Sequence, residues 1–239
     1  MRRIAIAAVS CLALSAGVAF AETAQERLKE ASDVFQEIMA TPDKGIPQDL
    51  LDKANCIVIV PDMKKAAFGI GGQYGRGFAT CRNANGHGWG APAAVRMEGG
   101  SFGFQIGATS TDLVMLVMNK RGMNRLLEDK FTLGADAAAA AGPVGRNAAA
   151  STDAQMSAEI LAWSRSKGLF AGVSLNGTTM RNDLDENQEL YGKKLTNSEV
   201  LEGKVKPPAS ASAFLATLDK YSPAEQGSNA DRSAEPNRK

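Results

Sequence analysis

The chain has 239 residues, with 27 lysines and arginines against 26 aspartates and glutamates and a formal net charge of +1. So even a balance excludes a binder that relies on overall basicity, as for nucleic acid, and any attraction to phosphate must come from a local patch. Its length suits one substantial domain, and three cysteines with one histidine form no CxxC or Cys/His cluster, so no zinc site and no cofactor is expected.

The first 21 residues have the pattern of a cleavable export signal. Arg2 and Arg3 give a positive start, residues 4–17 are an apolar stretch shorter than a bilayer span, and Ala19-Phe20-Ala21 is a small-x-small cleavage site. The alternative, a buried core helix, fits less well because nothing polar alternates within the run. Residues 8–10 make a poor lipobox before Cys11, and no Ser or Thr precedes the twin arginine. Cleavage after Ala21 is expected, giving a periplasmic or secreted protein that begins at Glu22. Arg2 and Arg3 leave with the signal, so the 27 basic residues fall to 25 against 26 acidic ones, a charge of −1.

Residues 22–39 read as a helix, with Leu28, Ala31, Phe35, Ile38 and Met39 at helical spacing and Thr41-Pro42-Asp43 as the stop. Gly45-Ile46-Pro47 opens a short second segment through Leu51. Residues 56–60 are a β-branched run ended by Pro61, which reads as a buried strand. Between residues 68 and 118 glycines punctuate short apolar segments, and Asn85-Gly86 and Gly99-Gly100 are turn signals, so an antiparallel meander is expected. Phe102, Phe104 and Ile106 alternate as in a half-buried strand, and residues 114–118 read as a central one. Residues 124–130 suggest a short helix. The alanines of 135–141 favour helix but are bracketed too closely by glycine and proline for a firm assignment. Residues 161–164 and 170–175 read as strands, Asn176-Gly177 as a third hairpin turn, 187–201 as containing a helical piece, and 211–220 as a final helix. The polar residues 222–239 should be disordered. The fold class that results is α+β: a glycine-rich, mainly antiparallel curved β-sheet with an N-terminal and a C-terminal helix packed on it.

No catalytic constellation is complete. Gly99-Gly100-Ser101-Phe102-Gly103 matches GxSxG, but the only histidine, His87, precedes Ser101, and no aspartate lies between them. His87 reads as a solvated loop residue. Gly69, Gly71, Gly72, Gly75 and Gly77 lack the ending of a phosphate-binding loop and suit a bent or bulged strand. Asp183-x-Asp185-x-Asn187 opens like a calcium loop, but Gln188 and Lys194 stand where Gly and Glu are needed, so a capped polar turn is expected. The first helix is too acidic to rest on an anionic membrane, which favours packing on the sheet. Lys64, Lys65, Arg76 and Arg82 form a better basic candidate, the alternative being an ordinary solvated face. Cys56 and Cys81 either pair, which an oxidising compartment permits, or remain two buried free thiols.

One series runs in order along residues 24–220. It comprises Gly45-Ile-Pro47, Lys65-Ala-Ala-Phe-Gly69, Gly75-Arg-Gly77, Trp89-Gly-Ala-Pro92, Gln105-Ile-Gly-Ala108 and Thr111-Asp112. It continues with Leu133-Gly-Ala-Asp136, Gly142-Pro-Val-Gly-Arg146, Ser164-Arg-Ser-Lys-Gly-Leu-Phe-Ala-Gly172 and Asn187 to Tyr191-Gly192. This series resembles the SYLF family. The resemblance implies a β-rich α+β lipid-binding module over residues 22–221. Eukaryotic members, often joined to Src-homology-3 or FYVE domains, bind phosphoinositides, and some also bind actin. The export signal and the acidic first helix depart from that setting. A non-catalytic envelope protein is therefore expected, with anionic phospholipids or a membrane surface as partner, no nucleic acid, and Lys64, Lys65, Arg76, Arg82, Arg146 and Lys167 as candidate headgroup contacts. Arg146 and Arg165 lie beside family motifs and either line a ligand groove or hold the sheet together. The second reading is a protein-interaction module that docks an envelope protein on the glycine-rich sheet.

Overall fold

Thr23 fixes the start of the first helix. Its hydroxyl accepts the Glu26 amide at 3.2 Å, and the Glu26 carboxylate accepts the Thr23 amide at 2.8 Å, a reciprocal cap that satisfies two otherwise orphaned donors. The structure, a computed structural model, describes residues 22–41, 45–83, 88–144, 157–166 and 168–223, with the backbone alone for residues 67–70 and 101–106. The export signal, Pro42 and Asp43 of the helix stop, Asn85-Gly86, His87, Arg146, Lys167 and most of the polar C-terminal segment lie outside the described residues. Helix α1 (Ala24–Met39) buries Leu28, Ala31, Val34, Phe35 and Ile38 against the sheet. Its apolar stripe thus serves the core, and Glu26, Asp33 and Glu37 face outward. Helix α2 (Gln48–Lys53) follows Pro47 and buries Leu51.

Two very long strands come next, β1 (Cys56–Cys81) and β2 (Ala93–Val117). They pair antiparallel from Cys56 opposite Val117 to Ala79 opposite Ala93. A straight ribbon of 26 residues would reach about 85 Å. This one is folded back on itself. The Arg82 amide donates to the Asn55 carbonyl at 2.9 Å, and Cys56 and Cys81, at opposite ends of β1, are joined by a disulfide. The bend coincides with two shifts of register, between Val60 and Met63 and between Phe68 and Ile70. At the first, Asp62 adopts φ 48°, the only non-glycine positive φ among the described residues, and its amide donates to Asp112 Oδ1 at 3.0 Å. Pro61 therefore bulges the strand without ending it, since the lost ladder bond falls where the register already breaks. Nor is Gly99-Gly100 a turn: the two residues lie within β2, opposite Gln73 and Gly72. The expected meander of short strands is one folded ribbon.

Both halves of the ribbon recruit further strands. Beside the first half of β2 lies β7 (Thr179–Asn182), and beside that β3 (Lys130–Thr132). The second half of β2 pairs with β5 (Ile160–Ser166), which in turn carries the parallel β4 (Ala139–Ala141) and the antiparallel β6 (Leu169–Gly172). The alanines of 135–141 thus form a turn and an edge strand. Asn176-Gly177 does turn the chain, with Gly177 at φ 81°, but it leads from β6 to β7, which do not pair, so it makes no hairpin. Helix α3 (Lys120–Leu127) starts earlier than its periodicity predicts because the Asn119 side chain accepts the Gly122 amide at 2.9 Å. Helices α4 (Leu184–Tyr191), α5 (Asn197–Glu199, continued by a π-turn) and α6 (Ser212–Tyr221) complete the α+β fold.

The curled sheet is apolar on both faces. Ile57, Ile59, Phe78, Val114 and Trp163 pack under α1 and α6, where Phe35 and Phe214 close the layer. On the opposite face, Val58, Met97, Met115, Phe131 and Met180 pack with Leu126 of α3. Alternation along the strands sends successive residues to these two cores.

Candidate anion-binding face

The residues picked out as basic candidates are scattered by the fold. Lys64 is exposed and pairs with Asp62 at the bulge. Lys65 follows it, half-buried and without an ion pair among the described residues. Arg82 is built into the frame: it donates to the carbonyls of Ala54 at 3.1 Å and Leu51 at 3.2 Å, and its guanidinium lies over Trp89, 4.4 Å from the ring centroid. Arg165 is a clamp of the same kind, with Nε and Nη2 both donating to Asp112, at 3.0 and 2.8 Å, and an ion pair to Glu37 of α1. Arg146 and Lys167 fall outside the described residues.

Arg76 stands on different ground. Strand register places it opposite Arg96 of β2; Arg96 in turn faces Arg181 of β7, and Arg181 faces Lys130 of β3. Four cations thus form one row across four adjacent strands, on one face because they are register partners. Like charges directly opposite each other repel. Counter-ions offset part of that repulsion. Arg76 Nε donates to Asp183 at 2.6 Å and lies 2.9 Å from Glu186, and both carboxylates are buried. The Asp183 hydrogen bond raises the Arg76 pKa above its ordinary value. Burial raises that of Glu186, with Arg27 of α1 and Arg76 acting in the opposite sense. Glu98 sits between the next two cations, 2.7 Å from Arg96 Nε and 3.5 Å from Arg181 Nε. Neither buried Nε makes a hydrogen bond, so Glu98 supplies charge without the directional contact. Lys130 is exposed and has no ion pair among the described residues.

Beside the row opens a cavity of about 690 Å³. Its charged lining comprises Arg96, Lys130, Arg181 and Lys194 with Asp129, Asp183 and Asp185. The expected polar turn at 183–187 forms one wall: Asp183 caps α4 by accepting the Glu186 amide at 3.3 Å. Asn187 is wholly structural, accepting the Ala94 amide and donating to the Leu195 carbonyl, both within the core. Among the described residues no cluster of histidine, cysteine and carboxylate side chains is suited to a metal ion.

Sequence reasoning found Arg76 but missed Arg96, Arg181 and Lys130. The available signal was a cation set among buried apolar neighbours: Arg96 between Val95 and Met97, Arg181 after Met180, Lys130 before Phe131. What joined them was register, which no local pattern supplies.

Comparison with known proteins adds the following. Residues 98–221 match the family model Ysc84, described as Las17-binding protein actin regulator. LAS seventeen-binding protein 3 of Saccharomyces cerevisiae is 34% identical over 180 residues, covering 74% of this chain and 39% of that protein. Protein YSC84 of the same yeast is 34% identical over 180 residues, covering 74% and 38%. The human SH3 domain-containing YSC84-like protein 1 is 32% identical over 212 residues, covering 86% and 61%. The chain therefore spans about two fifths of the length of the yeast relatives.

Proposed function

The chain belongs to the Ysc84 (SYLF) family, and from that premise we propose that it is a non-catalytic binding module of the cell envelope that engages anionic phospholipid headgroups through the cationic row. One observation carries this: Arg76, Arg96, Arg181 and Lys130 stand in register across four strands, and among the described residues only Arg76 donates a hydrogen bond to a carboxylate, that of Asp183. A row of mutually repelling cations at the surface is relieved by an anion that bridges them, and charge-assisted contacts from guanidinium to phosphate are strong. No described helix is long and apolar enough to cross a membrane; the association proposed is with the surface of the bilayer. The earlier candidates divide on geometry: Lys64 and Lys65 can add a general attraction, whereas Arg82 is turned to backbone carbonyls.

Flotation of the purified protein with vesicles tests this. Binding to phosphatidylcholine vesicles containing phosphatidylglycerol, weak binding to phosphatidylcholine alone, and loss of the difference in the Arg96→Gln/Arg181→Gln double variant are expected. Equal binding to both vesicles would overturn it. The names of the yeast relatives favour a second reading, a protein-docking module; one stoichiometric partner captured from envelope extract, together with no vesicle binding, would support that instead.

A further inference from the structure

We infer that the cavity beside the cationic row is a pocket for one phosphate ester whose alcohol part carries hydrogen-bond donors. The inference rests on the proposed reading of the row and names the ligand class of the same site.

Several polar groups of the cavity are already committed. Asp183 accepts from Arg76 and from the Glu186 amide. Asp185 and Lys194 pair with each other at 2.8 Å. Asp129 accepts from Asn182 Nδ2 through one oxygen, at 3.1 Å, and its other oxygen has no partner among the described residues. Glu98 lies against the Nε side of Arg96 and Arg181, which leaves their terminal nitrogens with no acceptor among the described residues. Lys130 is likewise uncommitted. What remains open is two guanidinium edges, one ammonium and one carboxylate oxygen. Three cations suit a phosphate, for which arginine provides forked donors. The carboxylate oxygen does not suit a bare anion. It accepts a hydroxyl or ammonium group, so the complementary ligand has a phosphate at one end and a donor at the other, as glycerol phosphate and phosphoethanolamine do. A cavity of about 690 Å³ has the size of small-ligand sites in general, which run from about 300 to 1,000 Å³, so it admits one headgroup. Register adds a reason for ligand dependence. Strand register holds Arg96 and Arg181 opposite each other with Glu98 as their shared counter-ion on the Nε side, so a phosphate at their terminal nitrogens would offset the repulsion that one carboxylate leaves.

Two sources offer this chemistry, a membrane lipid headgroup and a free phosphate ester, and titration separates them. The probes are sn-glycerol 3-phosphate, inorganic phosphate and glycerol, followed by calorimetry and thermal melting of the full protein, beside vesicle flotation. Glycerol 3-phosphate should bind, raise the melting temperature and outcompete inorganic phosphate; glycerol alone should not bind. Lys130→Gln, at an exposed side chain without an ion pair, should fold normally and weaken binding about tenfold. Asp129→Asn should weaken glycerol 3-phosphate and leave inorganic phosphate unchanged or tighter, so that the preference for the ester falls. No binding of glycerol 3-phosphate, unchanged binding by a folded Lys130→Gln variant, or equal affinity for both phosphates would overturn the pocket. If vesicles still bind in a charge-dependent way after any of those results, the membrane reading survives and the pocket does not. If glycerol 3-phosphate binds as expected but anionic vesicles do not, the pocket stands as a site for a free ester and the membrane reading falls.

Discussion

The Arg82 guanidinium bridges the Leu51 and Ala54 carbonyls and covers Trp89, so its charge is part of the frame between α2 and the ribbon. Replacing it strands several buried acceptors at once, and each unsatisfied buried group costs about 1–3 kcal/mol. Arg82→Ala should lower unfolding free energy by about 3 kcal/mol in a denaturant titration, whereas Lys65→Ala should change it by less than about 0.5 kcal/mol. Glu30 gives a second residue-scale expectation. It lines a small cavity with Asp62 and Asp112, and burial together with a hydrogen bond to Glu22 pushes its pKa up to about 7 from 4.5. The sign follows from proton counting: between those values the folded state holds a proton that the unfolded state has released. This group's contribution is therefore fully present below about pH 4.5 and is lost as pH rises towards 7. Glu30 is partly solvated, so the loss should be only about 1 kcal/mol. Thermal melts at pH 5 and pH 8 check it: Glu30→Gln should lose less stability than the parent across that interval.

At the scale of elements the folded ribbon is the decisive feature, and it depends on positions where no side chain fits. A Cβ at Gly77 would overlap the backbone carbonyl of Ile59 on the other half of β1, and one at Gly75 would come within 2.7 Å of Val60. Gly100, also in the ribbon, has nothing within 4 Å of such a Cβ. Gly77→Ala should abolish soluble folded protein, while Gly100→Ala should be neutral or slightly stabilising, because alanine limits the unfolded chain. Soluble yield and melting temperature separate the two. The Cys56–Cys81 bridge holds the same closure across a sequence separation of 25 residues, and the loop-entropy relation gives about 3.5 kcal/mol for it. The glycines themselves were legible as signs of a bent or bulged strand, and α1 and α6 were legible from their periodicity. The reach of β1 and β2 was not. Pro61 and Gly99-Gly100 carry the chemistry of strand ends, and only the tertiary contact between the two halves of the ribbon shows that the chain continues through them.

For the whole molecule, the near-neutral charge of the sequence conceals local contrasts. Glu30, Asp62 and Asp112 line one cavity with Arg165, and Arg96, Arg181, Lys130 and Lys194 line the other with Asp129, Asp183 and Asp185; of those four cations Arg96, Arg181 and Lys130 make no hydrogen bond to a carboxylate among the described residues. Of the row, Arg76 was legible in the sequence, whereas Arg96, Arg181 and Lys130 lie on β2, β7 and β3, far apart in sequence, and meet only through the sheet. That arrangement would make the proposed membrane association dependent on salt in a way that composition alone cannot. A lysine or arginine near an anionic surface contributes about 1 kcal/mol, so three open cations give about 3 kcal/mol, roughly a hundredfold preference over a neutral surface. The preference should fall steeply between 0.1 M and 1 M salt, as the screening length drops from about 10 to about 3 Å. Flotation across that range should show the parent converging on the weak, salt-insensitive binding of Arg96→Gln/Arg181→Gln. A parent that keeps its preference at 1 M salt would place the contact elsewhere, on apolar surface, because screening leaves apolar burial intact.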